Sequence, residues 1–125
     1  MVGIFSFRSK QEKRRSPRYG VEQFLVVYQD DLLIGHIKDL SITGMCVATE
    51  MALPLNNVAR LVIEMTMPEG DTKRLPISCR TQSIRPAPQG INLVGFQFMS
   101  MSAGTTRRLQ HLISCQQTLL AQQKP

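Results

Sequence analysis

The residues with the clearest chemical potential are cations near the start of the chain. The stretch "KRRSPRYG", residues 13–20, holds Lys13, Arg14, Arg15 and Arg18. This cluster has two interpretations: a solvated arm that attracts nucleic acid without specificity, or part of a shaped site for one particular anion. The cluster by itself leaves both open.

A second group of polar residues follows in "KDLSITGM", residues 38–45. Asp39 and Ser41 place a carboxylate and a hydroxyl at a predicted turn, and Gly44 permits either a positive φ or the close approach of a ligand to the backbone. The structural interpretation is a strand connection in which Asp39 and Ser41 cap their own backbone. For this motif alone, that interpretation is the stronger one.

The charge of the chain is concentrated at its start. The 125 residues include 15 Lys and Arg against nine Asp and Glu, a net charge of +6. Residues 1–18 hold six of these cations and one Glu, so this segment alone has a charge of +5. The basic character therefore belongs to an arm, which argues against a globular body that binds polyanions over its whole surface.

Catalytic and metal-binding patterns are missing from the sequence. Cys46, Cys79 and Cys115 are far apart and form no CxxC, so they indicate neither a disulfide framework nor a zinc site, and we expect buried thiols. His36 and His111 stand alone, and no GxSxG, HExxH or phosphate-binding glycine loop occurs. We expect a protein that is not an enzyme and that holds no metal or cofactor.

The sequence also gives no targeting or membrane signal. The first ten residues, "MVGIFSFRSK", place apolar residues before basic ones, the reverse of a secretory signal. No apolar run approaches the roughly 20 residues of a membrane helix. We therefore expect a cytoplasmic protein that has no membrane partner.

The pattern of apolar residues divides the chain into a flexible basic arm, residues 1–20, and a single domain, residues 21–125. Alternating apolar residues predict six strands in the domain. Their predicted ranges are 22–29, 32–39, 44–50, 58–68, 73–84 and 91–99. Pro76 argues for an edge position or a bulge in the fifth strand.

The last segment changes to a helical period, beginning at Thr105 or Thr106. Its apolar residues are Leu109, Leu112, Ile113, Leu119 and Leu120.

Consecutive antiparallel strands of this length favour a barrel, because closure removes exposed edges. We predict a mainly β protein: a six-stranded antiparallel split barrel with one C-terminal α-helix. The leucine stripe fits packing against the core best. The length of helix after Leu112 also leaves room for a homodimer contact, so we expect either a monomer or a homodimer.

Together, these motifs resemble the PilZ family, whose members are receptor domains for the second messenger cyclic di-GMP. Arg14 and Arg18 form an RxxxR motif, and "DLSITG", residues 39–44, forms DxSxxG between the second and third predicted strands. A strand containing "GFQFMSMS", residues 95–102, then leads into the helix. The resemblance covers nearly the whole chain.

The resemblance implies a role for each matching residue. Arg14 and Arg18 would grip the phosphates and guanine edges, for which a planar guanidinium is well suited. Asp39 and Ser41 would bind the other guanine, whose N1 and N2 hydrogens are donors to a carboxylate. Gly44 would let the base lie against the backbone.

Other family features match less fully. Some members carry a further arginine near RxxxR and hold two stacked ligands, and here Lys13 precedes the motif and Arg15 lies inside it. The chain has no Trp, so only Arg80 or Arg85 offers a cation to lie on a base. The number of ligands and the stacking residue both remain open.

The resemblance implies a cyclic di-GMP receptor or adaptor whose arm becomes ordered on binding and whose partner is a separate downstream protein. One alternative is a basic nucleic-acid-binding barrel of OB type, against which the scarcity of aromatic residues argues. Another is a ligand-free PilZ-type adaptor that binds only proteins.

Overall fold

The structure is a computed structural model that describes residues 24–122. Within this range the chain forms six strands followed by one helix. The strands are β1 Leu25–Gln29, β2 Leu32–Leu40, β3 Gly44–Thr49, β4 Val58–Thr66, β5 Thr72–Pro86 and β6 Asn92–Phe98, and the helix is α1 Ala103–Gln122. A short 3-10 turn, Pro88–Gly90, precedes β6. The predicted arm, residues 1–20, lies outside the described residues.

The six strands close into a barrel in the order β1-β2-β3-β6-β5-β4, and each neighbouring pair is antiparallel. This confirms the predicted mainly β fold with a C-terminal helix. Every strand therefore has a partner on both sides over part of its length, so the barrel leaves little open edge for unwanted pairing.

Alternating residues from all six strands fill the interior of the barrel. Leu61, Ile63 and Met65 in β4 and Val94 and Phe96 in β6 are buried, as their period-two spacing predicts. At about 25 cal/mol per Å² of buried apolar area, this core is the main stabilising term of the fold. The packed core therefore holds the strands that carry any site in fixed positions relative to one another.

Pro76 occupies a part of β5 that is bonded on one side only. It lies opposite Val62 of β4, whereas β6 pairs with β5 only from Cys79 onward. A residue without a backbone N–H is tolerated there because β6 does not need that donor. The predicted edge position is therefore correct for this part of the strand.

The helix begins earlier than predicted, at Ala103, because Ser102 caps it. The Ser102 hydroxyl oxygen accepts a hydrogen bond from the Thr105 backbone N–H, with an N–O distance of 3.1 Å. This is the usual geometry of an N-cap serine.

The buried face of α1 differs from the predicted stripe at one position. Leu109, Leu112 and Leu119 are buried, but Leu120 is 45% exposed and Gln116 is buried in its place. At 100° per residue, positions 109, 112, 116 and 119 lie within an arc of about 80°, and position 120 lies about 20° beyond the Leu109 edge of that arc.

The prediction of three buried thiols holds for one of them. Cys79 is buried in the barrel, while Cys46 and Cys115 are half-buried, and all three are free. Cys46 lies in β3, close to the β2–β3 turn, and its side chain points outward, so part of it is exposed to solvent.

Candidate ligand-binding site

The antiparallel topology brings several strand ends to one end of the barrel. These are the starts of β1, β3 and β5 and the ends of β2, β4 and β6. The β2–β3 turn is therefore at the same end as Phe24, where the N-terminal segment joins β1. The Phe24 carbonyl accepts a hydrogen bond from the Thr66 N–H at 2.8 Å, which fixes this junction on the barrel.

A β-bulge near the end of β2 turns Asp39 outward. The β2–β3 register shifts between Ile37 and Asp39, and both Ile37 and Leu40 are buried although they are three residues apart. Strict alternation would put Asp39 in the core, since it would follow Ile37 by two positions. The bulge instead exposes both Lys38 and Asp39. The carboxylate of the DxSxxG motif is thus presented to solvent by a register shift.

The hydroxyl of Ser41 is engaged within the turn. It donates to the Gly44 carbonyl at 3.2 Å and accepts from the backbone N–H groups of Thr43 and Gly44, each at 3.3 Å. The Ser41 backbone N–H also donates to the Gly44 carbonyl, at 2.9 Å. Ser41 therefore stabilises the turn, as the structural interpretation of the motif predicts.

Gly44 is required by the barrel itself. A Cβ on this residue would collide with the backbone carbonyl oxygen of Phe96 in β6. Because a backbone atom cannot move aside as a flexible side chain can, β3 and β6 pair at this point only with a glycine. The glycine of the motif has a structural reason that is independent of any ligand.

Outward-facing residues of four adjacent strands form a shallow surface beside Asp39, which we call the outer platform. The register aligns Asp39 with Cys46, Cys46 with Gly95, and Gly95 with Ser83. A second row at the β2–β3 turn aligns Gly44 with Gln97, and Gln97 with Arg80. The members of the outer platform are Asp39, Gly44, Cys46, Arg80, Ser83, Gly95 and Gln97.

The side chains at the centre of the outer platform are small. Gly95 has none, and the Ser83 hydroxyl lies only 2.6 Å from where a Cβ on Gly95 would be. Around this low centre stand a carboxylate acceptor at Asp39, an amide at Gln97 and a guanidinium at Arg80. A flat planar group could therefore rest on the platform with polar partners at its rim.

Arg80 and Arg85 differ in their distance from the motif. Arg80 is in the row of Gly44, whereas Arg85 aligns with Leu93, and Leu93 with Ala48. Four residues of β3 separate the two rows, a distance of about 13 Å. Of the two candidates for stacking, Arg80 is the one that belongs to the outer platform.

A family model described as PilZ domain matches residues 12–114. The match includes the cluster at residues 13–20, the β2–β3 turn and all six strands. The chain belongs to the PilZ family. PilZ domains are binding or adaptor domains rather than enzymes. No curated protein matches this PilZ domain in a sequence search.

A solved structure supports the fold. It is that of the inhibitor of motility MotI/DgrA of Bacillus subtilis, which shares 18% sequence identity with this PilZ domain at a TM-score of 0.57. The alignment covers 85% of this chain and 54% of the other, so this PilZ domain spans about half of that protein. At this identity the likeness shows the barrel and no more.

The cations predicted for the site lie outside the described residues. Lys13, Arg14, Arg15 and Arg18 all precede residue 24.

Several platform residues of this PilZ domain were not predicted as site residues. Cys46, Ser83, Gly95 and Gln97 carry no motif signal of their own, and they join Asp39 only through the strand register. The sequence did contain one clue, the glycine in the middle of an apolar strand at position 95, which is typical of a close approach.

Two further observations concern the described residues of this PilZ domain. Among residues 24–122, no group of three or more His, Cys, Asp or Glu side chains is arranged to hold a metal ion. Over the same range, no helix is long and apolar enough to cross a bilayer.

Proposed function

We propose that this PilZ domain binds cyclic di-GMP on the outer platform, with the arm completing the site. Asp39 accepts hydrogen bonds from N1–H and N2–H of one guanine, and Gly44 and Gly95 leave room for the base. Arg14 and Arg18 bind the phosphates and the acceptor edge of guanine through paired hydrogen bonds. Ser41 holds the turn, and Lys13 and Arg15 add positive charge.

The observation that carries this proposal is the bulge that turns Asp39 outward. It exposes a carboxylate at the end of the barrel where the basic arm begins, and it does so beside a surface made of glycine and small side chains. Membership of the PilZ family supplies the ligand class. Neither a turn nor a solvated arm requires an outward carboxylate at that position.

The arm provides the signal. Fixing about five arm residues costs on the order of 5 to 10 kcal/mol of backbone entropy, and a micromolar complex needs a further ~8 kcal/mol of net binding free energy. Charge-assisted hydrogen bonds of about 1.5 to 3 kcal/mol each, together with burial of the bases, supply both. Ordering of the arm changes the charge and shape of this end of the barrel, and a separate partner protein binds the changed surface.

A nucleic-acid-binding barrel fits the surface less well. Among residues 24–122 the aromatic side chains are Phe24, Tyr28, Phe96 and Phe98. Phe96 and Phe98 are buried, and Phe24 is partly buried against the core. The Arg74 Cζ lies over the Tyr28 ring, 5.4 Å from its centroid. The described faces of the barrel therefore lack the exposed aromatic platforms on which single-stranded bases stack.

Isothermal titration calorimetry of the full chain with cyclic di-GMP, GTP and a short oligonucleotide at two salt concentrations tests the proposal. We expect micromolar affinity for cyclic di-GMP, weaker binding of GTP, and little oligonucleotide binding at the higher salt. Oligonucleotide binding that exceeds cyclic di-GMP binding would favour the nucleic-acid function. Absence of heat with all three would leave the ligand-free adaptor.

A further inference from the structure

A cavity of about 540 Å³ lies between the start of β5 and the first half of α1. Its polar lining consists of cationic or ionisable side chains, namely Lys73, Arg74, Arg107, Arg108 and His111. We call it the β5–α1 cavity. On β5 the cavity uses Lys73–Leu75 at the start of the strand, whereas the outer platform uses Arg80 and Ser83 further along it, so the two sites share no residue.

The β5–α1 cavity concentrates the positive charge of the described domain. Residues 24–122 contain eight Lys and Arg against seven Asp and Glu. Four of those eight cations line this single cavity, and no Asp or Glu does. Arg74 is paired with Glu64, but the other three cations repel one another, so the cluster is most stable when an anion occupies it.

Two of the arginines are held in place by the protein. The Arg74 Nε lies 3.1 Å from a carboxylate oxygen of Glu64, and the same guanidinium lies over the ring of Tyr28. The Arg108 guanidinium donates to the backbone carbonyl of Arg74, which joins helix and strand. Such fixed side chains lose little conformational freedom when they bind a ligand.

The other two cations make no bond within the described part of the chain. Lys73 is half-buried at the cavity wall, and Arg107 folds back along the helix until its Nη2 is 4.0 Å from where a Cβ on Gly104 would be. Their donors are therefore available to a bound anion. A guanidinium and an ammonium together suit a phosphate, whose oxygens accept several hydrogen bonds.

The floor of the β5–α1 cavity is apolar. Leu75 and Leu112 close its base, but both side chains are almost fully buried, so the apolar surface that a ligand meets comes mainly from the methylene stems of the lining Lys and Arg side chains. A volume of about 540 Å³ is within the range of small-molecule sites. The combination of cationic walls and an apolar floor matches a ligand with a phosphate at one end and an apolar group at the other. A flat surface for an acidic protein segment would be larger and less concave.

We propose that the β5–α1 cavity is a second ligand site, which binds a phosphate monoester carrying an apolar or aromatic group. Arg107 and Lys73 bind the phosphate oxygens, and Arg74 and Arg108 add charge from fixed positions. The methylene stems of the lining side chains, above Leu75 and Leu112, contact the organic group.

Phenyl phosphate is a suitable probe, and its binding is followed by amide chemical shifts of the full chain in NMR titrations. We expect the shifts to concentrate at residues 73–75 and 104–112. Inorganic phosphate is the comparison ligand that lacks an apolar group. Hexaglutamate is the comparison ligand that represents an acidic peptide. Phenyl phosphate should bind severalfold more tightly than inorganic phosphate, since only the ester reaches the apolar floor.

The double variant Lys73→Gln, Arg107→Gln should weaken phenyl phosphate at least tenfold, because it removes charge-assisted hydrogen bonds. The double variant Arg60→Gln, Arg85→Gln is a matched control, since it also removes two charges and both arginines are exposed outside the cavity. Asp39→Ala should leave this affinity unchanged, which separates the cavity from the cyclic di-GMP proposal. Shifts spread evenly over all cations, equal binding of inorganic phosphate, or stronger binding of hexaglutamate would each overturn the proposal.

Discussion

Asp39 stands opposite Cys46 on the outer face of the β2–β3 ladder, although its position two residues after Ile37 would place it in the core of a regular strand. The bulge between Ile37 and Asp39 reverses the direction of the side chain and leaves Leu40 in the core. A single extra residue in one strand thereby exposes a carboxylate beside small residues.

Asp39→Ala should weaken cyclic di-GMP binding at least tenfold and reduce the preference for guanine over adenine dinucleotides. The carboxylate is the proposed acceptor for two guanine donors, and each charge-assisted bond contributes about 1.5 to 3 kcal/mol. Calorimetry with both dinucleotides measures the two effects. Glu50→Ala removes an exposed acid elsewhere on the barrel and should change neither. An undiminished guanine preference in Asp39→Ala would reject the role.

Arg18→Ala should weaken cyclic di-GMP binding by some 30 to 150 fold, about 2 to 3 kcal/mol. The loss is that of a paired hydrogen bond to phosphate or guanine. Arg8→Ala is the control, because it removes the same charge from the arm outside RxxxR. If both variants weaken binding equally, the arm acts only through its net charge and the defined site is wrong.

Gly44→Ala should destabilise the barrel by about 1 to 3 kcal/mol, since its Cβ would meet the Phe96 carbonyl oxygen. Gly95→Ala should cost less, because its Cβ would meet the end of the Ser83 side chain, which can rotate away. It would still place a methyl group in the centre of the outer platform and so weaken the binding of cyclic di-GMP. Urea denaturation and calorimetry of both variants measure these effects. Equal stability losses would contradict the structural reason given for Gly44.

Ser102→Ala should lower the free energy of unfolding by about 1 kcal/mol, because the Thr105 N–H loses its hydrogen-bond acceptor at the start of α1. Ser114→Ala, in the exposed middle of the helix, should be close to neutral. Chemical denaturation followed by circular dichroism compares the two. A helix that truly began at Thr105 or Thr106 would be insensitive to Ser102.

Burial raises the pKa of the Cys79 thiol from 9.0 to about 12. The folded chain therefore keeps this proton over a range in which the unfolded chain has lost it, and the stability contributed is present below pH 9 and is lost as pH rises toward 12. Urea unfolding of the wild type and Cys79→Ala between pH 8 and pH 10.5 measures the difference. The variant should lose less stability across that range. At pH 8 a thiol reagent should modify Cys46 and Cys115 before Cys79.

Much of the barrel could be predicted from the sequence. The alternation of Leu61, Ile63 and Met65, and of Val94 and Phe96, fixed which faces of β4 and β6 were buried, because the side-chain period of a strand is two. The helix was predicted from its period, but its first residue and one position on its buried face were predicted wrongly. Ser102 begins it, and Gln116 rather than Leu120 is on its buried face.

The candidate site was predicted only in part. Asp39, Ser41 and Gly44 were identified from their motif, while Arg14, Arg18, Lys13 and Arg15 remain predictions because they lie outside the described residues. Cys46, Gly95, Ser83 and Gln97 were not identified, since each is ordinary in its own strand. The β5–α1 cavity was not visible either, because its cations are divided between positions 73–74 and 107–111.

The sequence by itself determined the type of each element, the division into a basic arm and an apolar domain, and the family, because period, charge and short motifs are local properties. Only the tertiary structure decided which residues meet. The bulge that exposes Asp39, the alignment of Gly95 with Cys46, and the approach of Arg108 to the carbonyl of Arg74 all depend on register between distant segments. Register is set by how the whole barrel closes, and no single stretch of the chain contains that information.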